Sequence, residues 1–212
     1  MDQIITNNVS AHKHTFLSLG DSYTIGESVE EKDRWSVQLV AMLREQGADV
    51  APPDIIARTG WTTAELAEAI QKSGNANTYD LVSLLIGVNN QYRGQPLDRY
   101  RAELRELLQT AIRFAGGRPG RVIVLSIPDW GVTPFARDRD PAKIATEIDA
   151  FNAACREETE KAGVRFFDIT PLTRQAQNDP AQVTSDGLHY SGRQHRRWAE
   201  TVLPEVMQLL EK

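Results

Sequence analysis

FLSLGDSY, residues 16–23, is a short apolar run that ends in a glycine and a serine. The segment Phe16–Leu19 has the length and composition of a strand, and Ser22 follows it almost directly. In an open α/β sheet, ligands bind in the crevice at the carboxyl ends of the strands. Ser22 therefore lies where such a fold would build a site, although a Gly-Asp-Ser turn on its own is more often only a turn.

Short apolar runs alternate with amphipathic segments along the rest of the chain, which is the pattern of strand–helix units around a parallel sheet. Because parallel strands need crossovers, and right-handed crossovers put helices on both faces, we predict an α/β fold: a single three-layer α/β/α sandwich. The expected sheet is five-stranded, parallel and flavodoxin-like, with the order 2-1-3-4-5. The predicted strands are Phe16–Leu19, Asp54–Ala57, Tyr79–Ile86, Arg121–Ile127 and Val164–Ile169.

Five helices are predicted, and capping signals place three of them. Thr62 with Glu65, and Ser191 with Gln194, have the spacing of capping boxes. Asp140 followed by proline is a good cap and first turn. The other two helices are Trp35–Gln46 and a segment with Tyr100, Leu104, Leu107, Leu108 and Ala111 on one stripe. The stretches 24–32, 90–97, 128–139 and 171–185 are predicted to be irregular.

Composition restricts the possible classes of function. A chain of 212 residues with 41% hydrophobic residues predicts one domain, 1–212, with an irregular segment at 1–13. The net charge of -5, without a basic block, argues against nucleic acid. No run approaches the ~20 apolar residues of an integral membrane segment. The sequence as it stands predicts a soluble, cytoplasmic protein, or a secreted or periplasmic one if a leader has been removed.

Neither a disulfide framework nor a metal site is expected. Cys155 is the only cysteine and lies on an apolar helical stripe, so we interpret it as a core residue. His12 and His14 lie at the irregular start, and His195 lies in a basic turn of the last helix, where we expect it to be solvated. No pair of histidines has metal-ligand spacing.

A second chemical pattern, Asp186-Gly187-Leu188-His189, lies near the other end of the chain. An aspartate three residues before a histidine can hold one ring nitrogen and leave the other free to take a hydroxyl proton. Taken alone, this pattern is more often a surface turn. The long segment 171–185 gives it the reach to approach Ser22.

Two further residues follow predicted strands. Asn89 comes after the third strand, and its amide could donate to a developing oxyanion, although an Asx turn is the plainer interpretation. Gly60 follows the second strand, and its backbone N–H could approach a bound oxygen closely. With the predicted strand order, Ser22 and Asn89 flank the same crevice and Gly60 lies beside them.

Four blocks in this order resemble the SGNH, or GDSL-type, hydrolase family: Gly20-Asp21-Ser22, Gly60, Gly87-Val88-Asn89 and Asp186-Gly187-Leu188-His189. The resemblance implies a flavodoxin-like fold and a carboxylic ester hydrolase. It implies that Ser22 is the nucleophile, His189 the base and Asp186 its orienting acid. The oxyanion hole would consist of the Ser22 and Gly60 N–H groups and the Asn89 side chain.

The chain departs from the family pattern at two positions. Tyr23 replaces the leucine of the GDSL signature, and we expect this to alter local packing only. Asn90 replaces the aspartate that usually follows the block III asparagine, and we expect it to affect how the loop that holds Asn89 is supported.

The expected reaction passes through an acyl-enzyme and needs no metal or organic cofactor. The partner is a small-molecule ester, and the lack of a long apolar groove in the sequence favours short acyl chains. An acyltransferase using the same residues, or a lysophospholipase or thioesterase type of acylhydrolase, stays open. Aromatic and amide side chains near the strand ends are expected to line the pocket: Tyr23, Trp61, Asn90, Tyr92, Trp130 and Phe135.

Overall fold

Strands and helices alternate along the computed structural model, which describes residues 13–211. The predicted irregular segment 1–13 and His12 therefore lie outside the described residues, except for Lys13. The strands are β1 Phe16–Gly20, β2 Asp54–Ala57, β3 Leu81–Leu85, β4 Val122–Leu125 and β5 Arg165–Phe167. The helices are α1 Ser22–Ile25, α2 Trp35–Glu45, α3 Thr63–Ser73, α4 Val88–Tyr92, α5 Leu97–Phe114, α6 Pro141–Lys161, α7 Thr170–Arg174 and α8 Gly192–Leu210.

The five strands form one parallel sheet in the order β2-β1-β3-β4-β5, so the predicted topology is confirmed. Every residue of β1, β3 and β4 is buried, whereas the edge strands β2 and β5 are partly exposed. Central parallel strands are covered on both faces, which explains their continuous apolar sequences. Ser18 and Ser83 lie opposite each other in the middle of the sheet, and their hydroxyls share a 2.9 Å hydrogen bond.

Helices cover both faces of the sheet, as predicted. The chain moves from β1 to β2 in one direction and from β3 through β5 in the other, so right-handed crossovers place the connecting helices on opposite faces. Helix α2 packs against α8 in one layer, and α5 packs against α3 and α6 in the other. The reversal of direction lies between β1 and β3, where an α/β sheet opens its crevice.

Capping at two helices agrees with the prediction. Thr62 and Glu65 form a complete capping box at α3, and Asp140 accepts from two backbone N–H groups at the start of α6. At α8 the predicted capping box is wrong: Ser191 occupies the cap position, but its hydroxyl donates to the carbonyl of Ala181. Gln194 turns away to bond the Leu172 carbonyl, so both side chains anchor the preceding segment instead of the helix end.

The stretches predicted to be irregular contain short helices. Residues 24–32 include the end of α1, residues 90–97 include most of α4, and residues 171–185 include most of α7. Strands β3, β4 and β5 are shorter than predicted, because each apolar run extends beyond the residues that pair in the sheet. Tyr79, for example, donates its backbone N–H to Phe114 in the α5 end and not to a neighbouring strand.

His195 is buried, so the expectation of a solvated side chain is wrong. Only 1% of the residue is exposed, its Nδ1 accepts from the Trp35 backbone N–H at 3.1 Å, and its ring stacks on Trp198. Burial, with a smaller contribution from His189, lowers the pKa of His195 to about 3. The ring is therefore neutral near pH 7 and joins α8 to the start of α2. Cys155 is buried as expected, and burial raises the pKa of its thiol to about 11.

Candidate active site

Ser22 lies at the start of the short helix α1, directly beyond the carboxyl end of β1. The turn before it needs a glycine, because a Cβ on Gly20 would lie 2.4 Å from the carbonyl oxygen of Leu85. Asp21 caps the helix, and its Oδ1 accepts from the Tyr23 N–H at 3.0 Å. This close approach of β1 to β3 fixes the position of Ser22 at the crevice.

Asp186 and His189 form a hydrogen-bonded pair, with 2.6 Å between Asp186 Oδ2 and His189 Nδ1. The other carboxylate oxygen, Oδ1, accepts from the backbone N–H groups of Leu188 and His189 and from the Thr184 hydroxyl. Because an ionised carboxylate only accepts, the Asp186 contact places the imidazole proton on Nδ1 and leaves Nε2 as an acceptor.

Asp186 is ionised across the whole working pH range of a protein. Partial burial raises the pKa of Asp186, but hydrogen bonds from the His189 ring, two backbone N–H groups and Ser28 outweigh burial. The pKa is therefore well below its ordinary value. Asp186 thus carries the negative charge that would stabilise an imidazolium at His189.

Residues from both ends of the chain meet in one cleft of about 230 Å³. Ser22, Gly60, Asn89 and His189 all line it, as do Tyr23, Tyr92, Trp130 and Phe135, together with Thr59, Val88 and Leu188. Among residues 13–211, no hydrogen bond joins Ser22 to His189. Hydrogen bonds between a nucleophile and its base are often long before substrate binds. The two side chains are therefore related here by the cleft that they both line.

Gly60 and Asn89 both line the cleft, and each takes part in a hydrogen bond that holds it in place. Gly60 has a φ of +87°, a conformation that favours glycine, and the Gly60 carbonyl accepts from Arg93 Nη2 at 2.6 Å. Asn89 donates one amide hydrogen to the Trp61 carbonyl at 2.9 Å. The second amide hydrogen of Asn89 stays available for a bound oxygen.

Comparison with known proteins identifies the family. Residues 18–197 match the model of the GDSL-like lipase/acylhydrolase family. The chain belongs to this family. The predicted resemblance is thereby confirmed, and with it the expectation of an enzyme of the esterase and acylhydrolase class. No curated protein matches the chain by sequence.

Solved structures of low sequence identity share the GDSL-like fold. TesA is 19% identical, with a TM-score of 0.73 over 92% of this chain and 99% of that one. An acetylxylan esterase from Geobacillus stearothermophilus is 21% identical, with a TM-score of 0.67 over 91% and 94%. The psychrotrophic esterase EstA from Pseudoalteromonas sp. is 13% identical, with a TM-score of 0.68 over 94% and 100%.

Asn90 and Trp61 of this GDSL-like protein do not line the cleft, contrary to expectation. Asn90 is fully buried and bonds both the N–H and the hydroxyl of Thr63, as well as the side chain of Gln95. It thus ties the turn after Asn89 to the start of α3. Trp61 is partly buried and packs against the core.

Tyr23 does more than fill space in the GDSL-like core. Only 2% of the residue is exposed, and its ring lies edge-on to the His189 ring, with 5.9 Å between centroids. It also contacts Tyr190 and Trp198 at about 6 Å and lines the cleft. The tyrosine therefore supports the His189 ring, a contact that the expectation of purely local packing did not include.

Three aromatic rings form one wall of the cleft. The Tyr92 and Trp130 centroids are 5.3 Å apart, and Phe135 lies 6.0 Å from Trp130. Trp130 is buried and donates its Nε1–H to Gln91, whereas Tyr92 and Phe135 are 48% and 43% exposed. The wall has a fixed base and an exposed rim, which suits an apolar part of a substrate.

Several residues at the site of this GDSL-like protein were not predicted from the sequence. Val88, Leu188 and Thr59 are direct neighbours of predicted site residues, so their place beside Asn89, His189 and Gly60 was a usable signal. Arg93 lies four residues after Asn89, one helical turn further, but nothing in the sequence indicates its bond to Gly60.

The described part of the chain contains neither a metal cluster nor a membrane span. Between residues 13 and 211, no three His, Cys, Asp or Glu side chains are grouped to hold a metal ion. Over that same range, every helix is too short or too polar to cross a bilayer.

Proposed function

We propose that this protein hydrolyses carboxylic esters through an acyl-enzyme on Ser22, with His189 as the base and Asp186 as its orienting acid. One observation carries the proposal: His189, hydrogen-bonded to Asp186, lines the same cleft as Ser22, although His189 and Ser22 are more than 160 positions apart. A serine, a histidine and an aspartate in such an arrangement are the parts of nucleophilic acyl transfer.

In the first half of the reaction, Ser22 Oγ attacks the ester carbonyl and its proton passes to His189 Nε2. The tetrahedral intermediate collapses, and the alcohol leaves with the proton from the imidazolium. Water then attacks the acyl-enzyme, again giving a proton to His189. The acid product leaves as Ser22 Oγ takes that proton back, so the enzyme returns to its starting state.

The oxyanion of each intermediate would be held by the backbone N–H groups of Ser22 and Gly60 and by the second amide hydrogen of Asn89. Support comes from the cleft lining, which these three residues share, and from the bonds that fix Gly60 and Asn89 beforehand. Donors that are already in place stabilise developing charge without reorganisation.

Short-chain acyl esters fit the cleft best. Its volume of about 230 Å³ is modest, and the Tyr92, Trp130 and Phe135 rings bound one side. A panel of p-nitrophenyl esters of increasing chain length tests this, with kcat/KM expected to be highest for short chains. A maximum for long acyl chains or for thioesters would contradict the proposed substrate. Ester formed from an added alcohol would instead indicate an acyltransferase.

The decisive variant is Ser22→Ala, which should lower p-nitrophenyl acetate turnover by about a thousandfold or more. It should also abolish labelling by a fluorophosphonate probe. Ser73→Ala is the matched control, because Ser73 is an exposed serine at the end of α3 that bonds only the neighbouring turn. Unchanged turnover in a folded Ser22→Ala protein, with circular dichroism as the check, would overturn the proposal.

A further inference from the structure

Within residues 13–211, Ser28 is the one residue other than glycine whose backbone is in the left-handed region. Its φ is +63°, and no other described residue except glycine has a positive φ. L-amino acids rarely adopt this left-handed conformation, because Cβ then crowds the backbone. Strain of this kind persists where the surrounding structure enforces it, and it is concentrated at functional sites.

The Ser28 hydroxyl contacts the Asp186–His189 pair. It donates to Asp186 Oδ2 at 2.7 Å, and the same oxygen lies 2.6 Å from His189 Nδ1. Apart from the His189 ring, the other donors to the carboxylate act on Oδ1 and come from the Asp186 turn itself. Ser28 is therefore the one donor to Asp186 from a distant segment, 158 residues away, and it shares the oxygen that faces the imidazole.

We propose that Ser28 is a positioning residue for ester hydrolysis: its hydroxyl holds Asp186 Oδ2 against the His189 ring and ties the Asp186 segment to the chain that follows Ser22. This inference rests on the proposed function. The carboxylate needs such a tie because the Asp186 side chain is 32% exposed, so water competes for its oxygens.

The neighbouring residue reaches the opposite side of the cleft. Glu27 accepts a short hydrogen bond from the Thr59 hydroxyl, and Thr59 directly precedes Gly60. The turn that starts at the left-handed Gly26 therefore holds the Gly60 side through Glu27 and the Asp186 side through Ser28. One short segment after Ser22 thus contacts both sets of residues that the reaction needs.

The test compares Ser28→Ala with Ser28→Gly. Both remove the hydroxyl, but glycine adopts a positive φ without steric cost, so Ser28→Gly should be the more stable of the two variants. We expect kcat for p-nitrophenyl acetate to fall about tenfold in both variants, the effect of losing one bond to a charged group, and KM to stay within about twofold. Ser73→Ala serves as the control for loss of an exposed serine hydroxyl.

The pH profile separates a positioning role from a structural one. Without Ser28, the His189 ring is the one remaining donor to Asp186 Oδ2, so that oxygen stabilises the imidazolium more strongly and the acid limb of kcat/KM should move to higher pH. The other titratable groups near the His189 ring are Tyr23, whose pKa burial raises well above its ordinary value, and the neutral His195. Neither changes charge in mildly acidic to neutral solution. Asp21, whose pKa burial raises to about 7, is present in the native protein and in both Ser28 variants, so the difference between their profiles reports on Asp186.

A double-mutant cycle completes the test. In an Asp186→Ala background, Ser28→Ala should have no further effect on kcat, because its target is gone. An equal loss in both backgrounds, or native kcat and native acid limb in Ser28→Ala and Ser28→Gly, would overturn the inference. Ser22→Ala measured alongside distinguishes the two proposals: if it abolishes turnover and Ser28 variants do not matter, only the Ser28 inference fails.

Discussion

Asn90 supports the cleft with an amide where the family pattern has a carboxylate. Its Nδ2 donates to the Thr63 hydroxyl at 2.6 Å, and that hydroxyl in turn donates to Glu103. In this chain of bonds Asn90 donates, the Thr63 hydroxyl accepts one bond and donates the next, and Glu103 accepts. The departure from the family pattern is thus matched by Glu103, which supplies the acceptor that the Thr63 hydroxyl needs.

Asn90→Asp should lower the free energy of unfolding by about 1–3 kcal/mol, because the Thr63 hydroxyl can donate to only one of two carboxylates. Adding Glu103→Gln should recover at least half of the loss, since the new amide can donate to Thr63 while the carboxylate at position 90 accepts from it. Urea denaturation of the two single variants and the double variant measures this. A stable Asn90→Asp protein, or no recovery in the double variant, would contradict the prediction.

At the scale of elements, short helices hold residues of the candidate site, and long helices supply buried residues of the core. Helices α1 and α4 begin directly after β1 and β3, so Ser22 and Asn89 lie at the two sides of the crevice. Helix α8 contributes Trp198, Val202 and Val206, all fully buried. The Asp186–His189 pair directly precedes α8 in the chain, so a helix that is anchored in the core fixes its position.

Pro204 lies in the middle of helix α8, and its side chain is exposed to solvent. A proline there removes one backbone hydrogen bond and crowds the preceding turn, at a cost of roughly 3 kcal/mol, while it also restricts the unfolded chain. Pro204→Ala should therefore raise the free energy of unfolding by about 1–2 kcal/mol. Chemical denaturation measures the gain, with the exposed Gln208→Ala as control. A destabilised Pro204→Ala protein would show that the proline relieves a bend that packing imposes.

At the scale of the whole molecule, two buried titratable groups act on stability in opposite directions. Burial raises the pKa of Asp21 from 3.8 to about 7, partly offset by backbone hydrogen bonds. Its contribution to stability is therefore complete below pH 3.8 and is lost as pH rises towards 7. The pKa of His195 is lowered from 6.5 to about 3, so its contribution is complete above pH 6.5 and is lost as pH falls towards 3.

Between about pH 4 and 6.5 these two effects should cancel, each changing the free energy of unfolding by about 1.4 kcal/mol per pH unit. His195→Gln keeps an acceptor for the Trp35 N–H but removes the histidine titration. In this variant the effect of Asp21 remains, so the free energy of unfolding should fall as pH rises over this range. Asp21→Asn should show the reverse slope. Urea denaturation at several pH values measures both slopes. Native slopes in both variants would contradict the assigned pKa directions.

Local pattern was sufficient for much of the molecule. Apolar runs and capping residues indicate the five strands and the starts of α2, α3, α6 and α8, because period and capping depend on neighbours within a few residues. The strand order was expected from the commonest arrangement of such units. The four blocks indicated the family. The strand order predicted that Ser22, Gly60 and Asn89 lie at one sheet edge within reach of His189, because the carboxyl ends of parallel strands meet there. The membership and the sheet order are confirmed, and the roles of these residues stay predictions.

Only the tertiary structure decided which side chains support that site. Ser28 contacts Asp186 across 158 residues, and Arg93 contacts Gly60 across 33. His195 is buried because α2 covers it, and Asn90 turns into α3 instead of the cleft. These contacts join residues that are distant in the chain and leave no periodic signal, so three-dimensional packing determines them and local sequence does not.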